Sequence, residues 1–117
     1  MEITTTDAND VKILALCGRL DLASGTILKQ QVKECFGKDV RSFHLNLSGV
    51  EFINSSGLGT LVSIMKEVRL RKGRLTLSDL ANYVQEIFDI TQLSHIFEIF
   101  GTEEEALNSY QSATPAN

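Results

Sequence analysis

Apolar residues along this chain change period several times, and each change predicts an element. Residues 1–17 look extended. Asp7-Ala8-Asn9-Asp10 is a turn-forming cluster, and Val11 to Cys17 is a short apolar run of strand length. The two pieces predict a hairpin, which Gly18-Arg19-Leu20-Asp21 ends. Ile27, Leu28, Val32 and Cys35 or Phe36 then recur at helical spacing, with Lys29, Gln30, Lys33 and Glu34 on the other side. Asp21 or Ser24 is placed to cap that helix, and Gly37 sits where a left-handed residue would end it. From Ser42 to Ser48 the pattern alternates. Phe43, Leu45 and Leu47 share one face; His44, Asn46 and Ser48 share the other, as in a strand with one buried face.

Residues 51–61 carry the most information. The apolar run ending at Ile53 breaks at Asn54-Ser55-Ser56, Gly57 follows, and a helical stripe of Leu58, Leu61, Val62, Met65 and Val68 begins. Ser55 and Ser56 therefore stand at the first turn of a helix that Gly73 stops. Arg74 to Ser78 alternates as another strand. Val84, Ile87 and Phe88 mark a short helix, Thr91 to His95 one further turn, and Ile96 to Phe100 a last short strand. Thr102-Glu103-Glu104-Glu105 has the form of a capping box before a terminal helix. The pattern predicts an α/β domain with a mixed sheet of four to five strands. Strand–helix–strand units favour parallel pairs, and about four helices pack mainly on one face, leaving the other more polar.

Composition narrows the class. The chain has 117 residues, 43% hydrophobic, which suits one folded domain. With 11 basic and 15 acidic residues its formal charge is −4, unlike the basic footprint of a nucleic-acid binder. No apolar run is long enough to span a membrane. The N-terminus lacks a basic-then-apolar leader pattern, and the default reading is cytoplasmic. Cys17 and Cys35 read as small core residues rather than a disulfide or metal pair.

Candidate chemistry is sparse. Ser55 and Ser56 do not sit in a G-x-S-x-G elbow. Of two histidines, His44 on the polar strand face is the one that can approach Ser55 in space. No grouping has metal-ligand spacing, and Glu103-Glu104-Glu105 fits the acidic first turn of a helix. Gly57-Leu58-Gly59 beside two serines lacks the lysine of a phosphate-binding loop and the third glycine of a dinucleotide fingerprint. Lys66, Arg69, Arg71, Lys72 and Arg74 form a basic segment, read first as a solvated helix end and second as a face for an acidic partner or an anionic surface. On spacing alone, Ser55 is a helix cap first and a phosphoacceptor second. The two roles are compatible, because a phosphate adds about −1.5 to −2 charge where a helix start favours an anion.

The run Asn46-Leu47-Ser48-Gly49-Val50-Glu51-Phe52-Ile53-Asn54-Ser55-Ser56-Gly57-Leu58-Gly59 resembles the signature of the STAS domain, and specifically that of bacterial anti-sigma factor antagonists. Gly18-Arg19-Leu20-Asp21 is similar to that family's glycine–x–leucine–aspartate element, and Val84 to Phe100 fits its tail. The resemblance covers residues 1–111, leaving 112–117 as a frayed tail. It implies a non-enzymatic domain without cofactor that works by partner switching. An anti-sigma factor serine kinase would bind the unphosphorylated form, release its sigma factor, and phosphorylate Ser55. A metal-dependent PP2C-type phosphatase would reset it. Carried over by position, Asp21, Ser24, Asn46, Asn54, Ser56, Gly57 and Leu58 surround Ser55 or shape the docking surface. Asn54 stands where aspartate is usual, and Arg19 where glutamate is common. Weak homodimerisation is left open. The rival readings are a non-switching STAS scaffold subunit of a signalling or lipid-transport assembly, a small-ligand sensor for a nucleotide or anion, and a hydrolase pairing Ser55 with His44.

Overall fold

The computed structural model describes residues 1–112. Five strands form one sheet in the order β1-β2-β3-β4-β5: β1 (Glu2–Ala8), β2 (Val11–Leu20), β3 (Ser42–Ile53), β4 (Arg74–Ser78) and β5 (Glu98–Phe100). β1 and β2 are the expected antiparallel hairpin, and Asn9 at its turn has φ 56°. The remaining pairs are parallel, joined by α1 (Leu22–Phe36), α2 (Ser55–Leu70) and α3 (Asn82–Ile90) with a single 3₁₀ turn at Leu93–His95. α4 (Glu103–Ser112) is the last element among the described residues. Ser112 thus belongs to a helix rather than to a tail, and residues 113–117 lie outside the described residues.

One core holds the layers together. Leu14 and Leu16 of β2, Phe43, Leu45 and Leu47 of β3, and Leu75 and Leu77 of β4 meet Leu28 and Val32 of α1, Leu61, Ile64, Met65 and Val68 of α2, and Val84 and Phe88 of α3. Burying each such side chain stabilises the fold by about 1.5–3 kcal/mol. Some stripe positions differ from the sequence pattern. Ile64 is fully buried, whereas Ile27 is exposed and Leu58 and Val62 are half-buried. Cys17 is exposed too, not a core residue, because it sits at the open end of the hairpin.

The second sheet face is polar but not open. α4 covers part of it. There His44 is wholly buried, its Nδ1 2.7 Å from Thr76 Oγ1 and its Nε2 2.8 Å from Ser78 Oγ. Burial holds its pKa below the ordinary histidine value, while Glu103 and Asp79 oppose that shift. The Tyr110 hydroxyl donates to the Phe43 carbonyl at 2.6 Å, and burial pushes its pKa up to about 12.

The helix ends also correct one glycine reading. Gly37 is right-handed, with φ −65°, and the left-handed residue is Asp39, at φ 67°. After α2 the left-handed residue is Lys72, at φ 60°. Gly73 follows, its N–H donating to the Val68 carbonyl at 2.9 Å, and a Cβ there would lie 2.2 Å from the Arg41 carbonyl oxygen.

Candidate functional site

The site is built where β2 and β3 run past the rest of the sheet. β3 carries two irregularities. Ala15 and Cys17 of β2 pair with Asn46 and Gly49, and Gly18 and Arg19 pair with Val50 and Phe52, so β3 holds an extra residue at each step. Such bulges bend and twist a strand. Asn46 fixes the first by accepting the Ser48 N–H at 2.9 Å. Beyond the bulges, Leu20 and Ile53 pair side by side, and the next residue of each strand caps a helix.

Asn54 caps α2. Its backbone is extended, at φ −115° and ψ −178°, and its side-chain oxygen accepts the Gly57 N–H at 2.9 Å. Its own N–H donates to the Leu20 carbonyl at 3.3 Å, and its carbonyl accepts the Leu58 N–H at 2.9 Å. The capping role expected of Ser55 is therefore filled by its neighbour. Ser55 is the first residue of α2. It is exposed, and its hydroxyl makes no hydrogen bond within the described residues. Ser56, also exposed, is the second. Their two N–H groups are what remains of the helix's unsatisfied donors, and no acidic residue occupies the first turn.

Gly57 is buried because α2 must touch β2. A Cβ there would lie 2.2 Å from the Leu20 carbonyl oxygen, so only glycine allows the approach. Leu58 is half-buried against the core. Asp21 caps α1 beside this start. Its carboxylate accepts the Ser24 N–H at 3.1 Å, and its N–H donates to Ser24 Oγ at 2.9 Å. The Ser24 hydroxyl donates to the Arg19 carbonyl at 2.7 Å and is buried. Hydrogen bonding from the Ser24 backbone, then from its hydroxyl, holds the Asp21 carboxyl below the usual carboxylate range. Arg19 stands on the rim with its guanidinium 3.9 Å from the centre of the Phe52 ring.

Two predicted neighbours are elsewhere. Asn46 lies in mid-strand, roughly 20 Å upstream of Ile53 at the rise of a β-strand. Its amide donates to Glu103 of α4 at 2.9 Å, which ties it to the second sheet face. His44, beneath α4, does not approach Ser55 and has both ring nitrogens engaged. No hydrolytic pair is assembled.

One feature of the surroundings escaped the sequence. A groove of about 470 Å³ runs beside Ser56 between α1 and α2, lined by Leu22, Thr26 and Lys29 on one side and Gly59, Thr60 and Ser63 on the other. Lys29 Nζ donates to Ser63 Oγ across it at 2.6 Å. Leu22, the first residue of α1, is 63% exposed at its upper end. A leucine placed directly after a capping residue, ahead of the buried stripe, was the available signal. No helix among the described residues is long and apolar enough to cross a membrane, and these residues hold no metal-binding group of histidine, cysteine and carboxylate side chains.

Comparison with known proteins places this arrangement. Residues 2–106 match the family model of the STAS domain. The anti-sigma-B factor antagonist of Listeria monocytogenes is 30% identical over 90% of this chain and 91% of its own length. That of Bacillus subtilis is 31% identical over 82% and 86%. The crystal structure of TM1081 from Thermotoga maritima superposes with a TM-score of 0.85, at 28% identity and 92% coverage of each chain. The chain belongs to the STAS domain family, within its group of anti-sigma factor antagonists.

Proposed function

We propose that this protein is an anti-sigma factor antagonist switched by phosphorylation of Ser55. In the unphosphorylated state it binds an anti-sigma factor that is also a serine kinase, and the sigma factor is released. Phosphorylation of Ser55 ends the interaction, and a PP2C-type phosphatase restores it. One observation carries this reading: Ser55 offers an exposed, uncommitted hydroxyl on a helix start already capped by Asn54. Modification there removes no structural hydrogen bond. The added charge of about −1.5 to −2 meets the positive end of the α2 dipole and two free N–H groups, so the domain keeps its fold. The same charge sits next in sequence to Ser56 of the α1–α2 groove, two residues past Ile53, whose strand partner Leu20 precedes Asp21. An apolar or acidic partner surface is opposed there by desolvation and repulsion. Leu22, Ser56 and the groove walls form the docking face; Asp21, Ser24, Asn54 and Gly57 hold its geometry. The domain acts as substrate and ligand, with no catalysis of its own, in the cytoplasm.

Incubation with the kinase partner and ATP, followed by phosphosite mapping, tests this. Label on Ser55 in the native chain and none in Ser55→Ala is expected. Ser55→Ala should hold the partner constitutively, and Ser55→Glu should weaken the complex by at least about tenfold, or 1.4 kcal/mol. Full labelling of Ser55→Ala overturns the assignment. Equal partner binding by all three chains favours a non-switching scaffold instead.

A further inference from the structure

The far end of α2 takes no part in the site at Ser55, which lies about 22 Å away at the rise of an α-helix. There the last turns of α1 and α2 and the loops after them enclose a second cleft of about 400 Å³. Its apolar surface comes from Phe36, Val40 and Leu70. Leu70 is 80% exposed at the last position of α2. Its rim comes from Arg41, Arg71 and Lys72, opposed only by Asp39.

The basic segment from Lys66 to Arg74 is partly explained by the fold. Arg74 pairs with Glu98 at 2.7 Å, and Arg69 donates to the Ile96 carbonyl at 2.7 Å. Arg71 lies 4.4 Å above the Phe36 ring, which leaves its N–H edge open. Lys72 makes no ion pair among the described residues, nor does Lys38 in the neighbouring cleft that shares Asp39, Val40 and Arg41. Arg41 reaches Asp39 only at 3.6 Å, with both side chains more than half exposed. A helix dipole accounts for a cation at each helix end. It does not account for cations from two separate loops drawn around an exposed leucine, on a chain of formal charge −4.

We propose that this cleft is a second docking surface, for an acidic protein segment that presents one apolar side chain. The apolar group packs on Phe36, Val40 and Leu70, and flanking carboxylates meet Arg41, Arg71 and Lys72. Charge complementarity selects this occupant. A second copy docking through the same face would bring like charges together. A flat anionic membrane would meet the rim cations and the exposed Leu70 but would not reach the half-buried Phe36 and Val40 between them. Docking here leaves Ser55 uncovered and is independent of its phosphorylation, so both ends can be occupied at once.

The test titrates the full chain into a fluorescein-labelled peptide of alternating glutamates around one central leucine, read by anisotropy at low salt. Parallel titrations use phosphatidylserine-containing vesicles. Saturable peptide binding is expected, weakened at least about tenfold by the double variant Arg41→Glu/Lys72→Glu and severalfold by Leu70→Ser. Ser55→Glu should bind as the native chain does. These are exposed positions, and unchanged thermal melts verify that the variants fold. The proposal is overturned if the charge-reversed variant binds equally, if replacing the peptide's leucine by serine changes nothing, or if the vesicles bind and the peptide does not.

Discussion

α1 and α2 leave parallel strands side by side, each through one extended capping residue, Asp21 after β2 and Asn54 after β3. Both caps satisfy the third N–H of their helix. The helices then use their hydroxyls differently. In α1 the serine is the third residue, buried, and spent on a reciprocal box with Asp21 and on the Arg19 carbonyl. In α2 the third residue is Gly57, pressed against Leu20, and the serines are the first and second, facing solvent with nothing to hold. A helix start can therefore make a hydroxyl structural or leave it available, and position within the first turn decides which. Charge follows the same division. The structural end carries the carboxylate, and the end with available hydroxyls carries a neutral amide.

The largest break in this comparison is expected from Gly57→Ala. The new Cβ would lie 2.2 Å from the Leu20 carbonyl oxygen and 2.8 Å from its carbon, both backbone atoms that no rotamer change can move aside. A loss of about 3 kcal/mol is expected, well beyond the helix-propensity gain of up to about 1 kcal/mol. Gly59→Ala, two residues on, is the control. Nothing lies within 4 Å of its added Cβ, so propensity acts alone and should stabilise the chain by about 0.5–1 kcal/mol. Urea unfolding of both variants gives the two signs directly. A small or stabilising effect at Gly57 would mean that α2 does not seat on β2 as described.

A smaller break is expected at Asn54. Asn54→Ala leaves the Gly57 N–H without its acceptor and should cost about 1 kcal/mol, read as a shift in the urea midpoint. Asn54→Asp keeps the acceptor and adds a charge that the helix start favours by about 0.3–1 kcal/mol at low salt. It should therefore be no less stable than the native chain while placing a carboxylate next to Ser55. If the two substitutions cost the same, the cap is not made through the side chain.

These helix starts were legible in the sequence to different degrees. Ser55 and Ser56 fell at the first turn because a polar trio and a glycine separate an apolar run from a helical stripe. Which residue caps was not legible, since Asn54 and Ser55 are both good caps and only backbone dihedrals choose between them. The strand before them was read as ending at Ser48 because its alternation stops there. The buried apolar positions of β3 run Phe43, Leu45, Leu47 and then Val50 and Ile53, and two bulges turn a period of two into steps of three. The same extension moved Asn46 away from the helix start. On the second face, period-two alternation marked His44, Thr76 and Ser78 as polar. Burial there depends on α4, whose docking no local pattern announces. The hairpin, the parallel crossovers and most core positions followed from periodicity, whereas Ile27, expected in the core, is exposed and Ile64, outside the expected stripe, is buried, because those depend on the neighbouring element.

The finest difference between the two helix starts is their response to acid. Asp21 titrates and Asn54 does not. Bonding from the Ser24 N–H, then the Ser24 hydroxyl, holds the folded-state pKa of Asp21 below its unfolded value. The unfolded chain thus binds the proton more readily. Stability from this cap is fully present above the unfolded pKa, near 3.8, and is lost as pH falls through the folded one. Asp21→Asn keeps an acceptor for the Ser24 N–H but removes the titration. Urea midpoints of the two chains at pH 7 and pH 3 test the point. The native chain should lead at pH 7, and its lead should shrink at pH 3, because only its cap is being protonated. A gap that stays constant with pH would mean that α1 is held by the shape of its cap alone. The two helix starts would then differ in where their hydroxyls point and not in charge.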